Sequence, residues 1–360
     1  MREAVIVIAD LYLQSGELEG EVAAQPGALA GLEYAGRFGE RERLAGSWRE
    51  WLARWLGRGD LAGVPVAAVA AAAVARRTGD SARDAAARAG AEAATRWIAT
   101  PVELVAGLTR VHLDRRGIVR LAPDEQAALA EEFHRTFAAS GLTLEPLSDG
   151  QFLATTPGVA AVATTEPARC AGGVLAVPQG PAAAPLLRLI AEIEMWLHGA
   201  ALTRARAARG APAITGLWLW GATGDKLSDA SAPGTATNGN RHGATAGFGS
   251  DAFVAGLLRL SGGVLRPLAA GGDAVFASPG TERAVVVAEL SGALPPEQPW
   301  ILSAAAAAFD RRLVRPAVAA LTSGSLERLT LIANDTRVAL GRRSGLKRWR
   351  RPRVGLGAFA

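Results

Sequence analysis

Four short, largely apolar runs stand out along the chain: Ala4–Ala9, Leu217–Trp220, Ala284–Ala288 and Leu329–Ala333, each followed by a polar residue or a glycine. Runs of this length, bounded by turn-forming residues, predict strands buried on both faces. Between them the apolar positions recur with the period of a helix. From Pro123, a proline suited to a helix start precedes Asp124 and Glu125, which complement the first-turn dipole, and Leu129, Phe133 and Phe137 share one face. From Pro185 to His198, Leu186, Leu189, Ile190, Ile193 and Leu197 form a second stripe, with Glu192 and Glu194 off it. Buried strands alternating with amphipathic helices predict an α/β fold, a mostly parallel sheet sandwiched by helices.

Other stretches lack such a period. Ala222–Ser250 is rich in Gly, Ala, Ser, Thr and Asn and reads as a long loop or lid. Leu61–Ala75 is apolar but mostly alanine, contains Pro65 and ends before Arg76; it is too short and too weakly apolar to cross a bilayer and predicts a buried helix. The N-terminus carries Glu3 and Asp10 around its apolar run, so no signal peptide is expected.

Composition narrows the class. Of 360 residues, 49% are hydrophobic and 20% charged, enough apolar material for a large core or about two domains, which excludes wholesale disorder. The lone cysteine, Cys170, cannot form an internal disulfide or a Cys-rich zinc site, so the cytoplasm is the expected compartment. Charge is concentrated at the end of the chain. Arg342, Arg343, Lys347, Arg348, Arg350, Arg351 and Arg353 carry seven positive charges; without them the formal net charge of +5 becomes −2. Polyanion affinity is therefore assigned to this tail, with an acidic partner, RNA or a membrane surface as its target, and a solvated end as the alternative.

Several residues admit a sharp and a plain reading. Trp48, Trp51 and Trp55 recur at helical spacing and read as packing rather than a stacking platform. Glu194 and His198 read as a helix-surface pair rather than metal ligands. His112 and Asp114 face one side of an expected strand, as a salt bridge or in support of a site. Gly221 reads as a turn after its strand, and Cys170 as a small buried hydrophobe.

Two segments carry a family resemblance. Leu113–Phe152, with Asp114, Arg115 and Arg116, and Leu202–Gly224, with Thr203, Arg204, Gly210, Pro212, Trp220 and Gly221, resemble the archaeal-type cofactor-independent phosphoglycerate mutases of the alkaline phosphatase superfamily. The AVIVIADLYL start, the tryptophan helix, WIATPVELVAGLTRVHLDRRG, EIEMWLH and WLWG make most of positions 1 to 340 similar to the bacterial RpfE-type regulatory proteins. The resemblance implies an alkaline phosphatase-like core (1–110 and 182–341), a small inserted subdomain (111–181) and a basic tail (342–360). It also implies a phosphorylated small-molecule ligand met by Asp114, Arg115, Arg116, Arg204 and Gly221.

Family chemistry needs two divalent metals held by Asp and His, and a Ser or Thr nucleophile. Here Leu11 follows Asp10 where a glycine is usual, Glu289, Leu290 and Ser291 follow the third strand, and Asn334 and Asp335 follow the fourth. The four histidines, His112, His134, His198 and His242, are too few for two full clusters. Asp10, Gly221, Glu289, Asn334 and Asp335 nonetheless all follow strands expected to end at one sheet edge, where ligands bind in open parallel sheets. Asp10, Glu289, Asn334 and Asp335 would favour Mg²⁺ or Mn²⁺ if a metal binds. The sequence thus points to a non-catalytic or weakly active regulatory or ligand-binding protein. A metal-dependent phosphotransferase or phosphohydrolase and a tail-driven adaptor are the alternatives.

Overall fold

The computed structural model describes residues 1–12, 28–74, 94–107, 111–223, 245–268, 272–276, 281–290 and 302–346. The chain divides into two compact units: Met1–Ala62 with Asn238–Ser250 and Ser261–Ala360, and Gly63–Thr237 with Asp251–Leu260.

The first unit is built on a seven-stranded sheet. Its strands are β1 (Glu3–Ile8), β2 (Glu40–Arg43), β9 (Thr245–Phe248), β10 (Leu265–Arg266), β11 (Arg283–Ala288), β12 (Arg328–Ala333) and β13 (Thr336–Gly341), in the order β10-β9-β11-β1-β12-β13-β2. β1 lies parallel to both neighbours, with Ile8 opposite Ala288 and Val7 opposite Ile332. β9 is parallel to β10 and β11, whereas β13 and β2 extend the sheet antiparallel. Three of the four expected strands are therefore β1, β11 and β12. Val5, Ile6 and Val7 are all buried, so an unbroken apolar run is what this central strand requires. On one face Ala4, Ile6, Ile8, Val286, Leu329 and Leu331 form a core with Leu32 and Ala35 of α1 (Ala30–Phe38) and with Leu313, Ala317 and Leu321. Those last residues lie in a continuous helical stretch: α10 (Leu302–Phe309), a π turn (Asp310–Val314) and α11 (Arg315–Ser323).

Helix α2 (Trp48–Trp55) belongs to the same unit. Ser47 caps it, its hydroxyl accepting the Glu50 N–H at 3.2 Å. Trp48, Leu52 and Ala53 are buried, and Trp51 stacks on Trp55 with ring centroids 6.2 Å apart. The Arg283 guanidinium lies 3.6 Å over the Trp55 ring, and Arg337 lies 5.8 Å over Trp51. Packing is thus the role of these tryptophans, as their spacing suggested.

The second unit holds a sheet of β3 (Ala94–Ala106), β4 (Val111–Ile118), β5 (Thr143–Pro146), β6 (Phe152–Pro157), β7 (Gly173–Val174) and β8 (Gly216–Trp220). Every pairing in it is antiparallel. Its helices are α3 (Val66–Val74), α4 (Pro123–Thr136), α5 (Pro167–Cys170), α6 (Ala183–Gly199), α7 (Ala201–Ala208) and α8 (Ala252–Leu260). Helices α4 and α6 match the two periodic stripes, and Phe133 and Leu197 are buried. The alanine-rich run forms α3, which packs on α8; Gly256 is needed there, because a side chain would overlap the Val69 carbonyl. No helix among the described residues is long and apolar enough to cross a membrane.

Three expectations need correction. Leu217–Trp220 is a strand, but β8 pairs antiparallel with β3 and is not part of the parallel sheet. The unit containing 111–181 is larger than that segment, because β3 before it and β8 after it hydrogen-bond in one sheet with β4 to β7. The stretch expected as a lid contains β9 at 245–248; its residues 224–244 lie outside the described part.

Candidate functional site

Because β1, β11 and β12 are parallel, Asp10, Glu289, Asn334 and Asp335 lie at one edge of the seven-stranded sheet, as expected. Asp10 is buried, 7% exposed, and its Oδ1 accepts the Leu290 N–H at 2.7 Å. The Leu11 carbonyl accepts the Asn334 N–H at 2.9 Å, and the Asp335 carbonyl accepts the Leu44 N–H at 2.8 Å. Gly221 does not belong to this edge: it follows β8 in the other sheet.

Asn334 and Asp335 owe their place to turn chemistry. The β12–β13 hairpin pairs Ala333 with Thr336, leaving two central residues with φ of 49° and 54°. A two-residue hairpin with positive φ at both positions is the type I′ turn, which asparagine and aspartate tolerate because their short polar side chains suit the left-handed region.

The donors do not fit the metal pair that the resemblance implies. Among the described residues no group of three or more His, Cys, Asp or Glu side chains is placed to hold a metal ion, so Asp10, Glu289 and Asp335 do not form one. Asp10 is engaged by a backbone N–H, and Asn334 with Asp335 forms a turn. No phosphoryl-transfer step is derived through these residues.

The residues assigned to a phosphorylated ligand lie in the second unit. β4 departs from its register with β3 between the pairs Val102–Ile118 and Leu104–Leu113, so Asp114 to Gly117 bulge out opposite Glu103. The Asp114 carboxylate accepts the Arg116 N–H at 2.9 Å and fixes this excursion. Gly117 is required, since a Cβ there would fall 2.7 Å from the Glu103 carbonyl oxygen. The backbone of Arg115 shares the bulge. Arg204 instead donates to the Gly199 carbonyl at 2.7 Å and closes the end of α6. Gly221 is a turn residue with φ of 64°, and its carbonyl accepts the Ala67 N–H at the start of α3.

The buried arginine of this region is Arg206, which sequence reasoning passed over. Its Nη1 donates to both Glu125 oxygens at 2.8 Å and its Nε donates to the Pro212 carbonyl at 2.9 Å; Arg209 also reaches Glu125. Burial raises the Glu125 carboxyl, but the Ala122 N–H and the two arginines outweigh it and hold the group below its ordinary value.

A second unanticipated group surrounds Asp149. Its Oδ2 accepts from Gln151 Nε2 at 2.9 Å and from the Ala252 N–H at 3.0 Å, while Trp220 Nε1 donates to Thr100 Oγ1, which donates to Gln151. Burial pushes the Asp149 carboxyl up, Arg120 opposes that, and Asp251 adds to it. The Asp-Gly pair at 149–150, with Gly150 at φ of 80°, was the available signal.

Other residues singled out in the sequence have the following surroundings. His134 Nε2 accepts the Leu144 N–H at 3.0 Å. Burial raises the Glu194 carboxyl, with no contribution from His198, so the expected helix-surface pair is not seen as an electrostatic partner. Cys170 is buried, which raises its thiol and keeps it a poor nucleophile. His112 and Asp114 are both exposed and share a side of β4. Of the tail, Arg342 and Arg343 are described; Lys347, Arg348, Arg350, Arg351 and Arg353 lie outside the described residues.

No family model matches the chain. No curated protein matches it either. Among solved structures, the chain is similar to the PH0037 protein from Pyrococcus horikoshii, with 10% identity, a TM-score of 0.45, and 94% of this chain and 87% of that one covered. It is also similar to the cofactor-independent phosphoglycerate mutase from Thermoplasma acidophilum, with 12% identity, a TM-score of 0.34, and 94% of this chain and 89% of that one covered.

Proposed function

We propose that this chain is a non-catalytic regulatory or ligand-binding protein, not a working phosphotransferase. The observation that carries the reading is the use of the expected metal ligands for structure: Asp10 accepts the Leu290 N–H, and Asn334 with Asp335 forms a two-residue hairpin turn. A two-metal phosphoryl-transfer site needs several anionic or imidazole donors converging on each ion. The three acidic side chains at this sheet edge do not converge in that way. Arg116 on the β4 bulge, with Arg115 beside it, is the proposed contact for a phosphorylated small molecule, because guanidinium forks match phosphate oxygens.

Phosphorus NMR of 2- and 3-phosphoglycerate with the native protein, in Mg²⁺ and then in Mn²⁺, tests the reading. It predicts no interconversion. Turnover lost in Asp10→Ala or Asp335→Ala would replace it with the metal-dependent phosphotransferase.

A further inference from the structure

We propose that Asp10 is a staple built from protein, standing where the resemblance would put a metal ligand: its carboxylate ties the segment after β1 to the segment after β11 by accepting a hydrogen bond. A divalent ion at the carboxyl edge of a parallel sheet holds together loops from separate strands by gathering their oxygens. In this chain the same segments are joined directly. The Ala9 N–H donates to the Ala288 carbonyl at 2.9 Å, the Leu290 N–H to Asp10 Oδ1 at 2.7 Å, the Asn334 N–H to the Leu11 carbonyl at 2.9 Å, and the Leu44 N–H to the Asp335 carbonyl at 2.8 Å.

Three of these bonds run between backbone groups, so any residue could supply them. Of these four bonds, the one to Asp10 depends on side-chain identity. It is buried and its acceptor is a carboxylate, the setting in which one hydrogen bond keeps most of its strength. One of the two carboxylate oxygens is therefore committed to a backbone N–H. This goes beyond the non-catalytic reading, because it gives Asp10 a positioning task that stands whether or not the chain turns over a substrate.

Asp10→Asn and Asp10→Ala separate staple from ligand. Asparagine keeps an oxygen for the Leu290 N–H but loses the charge a divalent cation requires; alanine loses both. The readouts are hydrogen exchange at the Leu290 amide and thermal unfolding, each with EDTA and with Mn²⁺. The staple predicts that EDTA and Mn²⁺ leave native unfolding unchanged and that Asp10→Asn keeps the Leu290 amide protected. Loss of one charge-assisted hydrogen bond in Asp10→Ala should speed exchange at that amide by about ten- to a hundredfold. If Asp10→Ala does not fold, native protein and Asp10→Asn decide the matter. A rise in native unfolding temperature with Mn²⁺ that Asp10→Asn abolishes would overturn the proposal, as would native Leu290 exchange in a folded Asp10→Ala. Phosphoglycerate turnover with Leu290 still protected in Asp10→Asn would remove the non-catalytic reading and leave the staple standing.

Discussion

Replacing Asp310 with alanine should destabilise the first unit strongly. Asp310 opens the π turn between α10 and α11 and is fully buried, 0% exposed. Its carboxylate accepts three N–H donors: Leu32 at 2.7 Å, Gly31 at 3.2 Å and Arg315 Nε at 2.7 Å. The first two belong to the opening turn of α1, whose N–H groups have no partner within the helix, so the side chain fills the place of an N-terminal anion. Arg315 also donates to the Ala28 carbonyl at 2.7 Å, fixing the chain entering that helix. Removing the carboxylate leaves the two buried N–H groups without their acceptor, while Arg315, 37% exposed, keeps the Ala28 carbonyl and can turn to water; at about 1–3 kcal/mol for each buried N–H the loss is about 2–5 kcal/mol. Asp310→Asn keeps the size and one acceptor, so its loss should be about 1–3 kcal/mol. Urea unfolding measures both: the midpoint should fall with the slope unchanged, and further for alanine than for asparagine. An alanine variant within about 1 kcal/mol of the native protein, or less destabilised than the asparagine variant, would refute the reasoning.

Three further outcomes follow from the same kind of argument. Gly256→Ala should destabilise the second unit by about 1–3 kcal/mol, read from its urea midpoint, because the new methyl overlaps the Val69 carbonyl in the α3–α8 contact. Arg283→Lys should lose about 0.5–2 kcal/mol and change tryptophan fluorescence, since lysine cannot stack flat on Trp55 or keep the bond from Arg283 Nη2 to the Trp55 carbonyl. Glu125 is held below its ordinary 4.5, so its contribution to stability is complete above that value and disappears as pH falls through the lower native value. Arg206→Met should flatten the acid limb of a stability-versus-pH curve, and an unchanged limb would show that the ion pair does not set it.

Much of the architecture was legible because it rests on local pattern. The runs that became β1, β11 and β12 are apolar save for Thr330 because the middle of that sheet is buried on both faces. The same pattern could not tell β8 from them. An apolar run reports burial and not direction, and the antiparallel partnership of β8 with β3 is fixed by pairing between residues 98–102 and 216–220. The site was less legible for a related reason. Asp10 and Asn334–Asp335 were correctly placed at one edge by strand topology, but their work depends on backbone geometry that a residue list does not contain: an N–H aimed at Asp10 and positive φ in the turn. Asp310 and Arg206 escaped notice because each has a decisive partner distant in sequence, the Leu32 N–H for Asp310 and Glu125 for Arg206.

The central claim is that the carboxyl edge of the first unit is held by the protein itself and is not a two-metal site. Metal stoichiometry of the folded protein after dialysis against Mn²⁺, for the native chain and for Asp10→Asn and Asp335→Asn, tests it most directly. The account predicts no Mn²⁺ that depends on either residue. Two ions per native chain, lost in both variants, would contradict it.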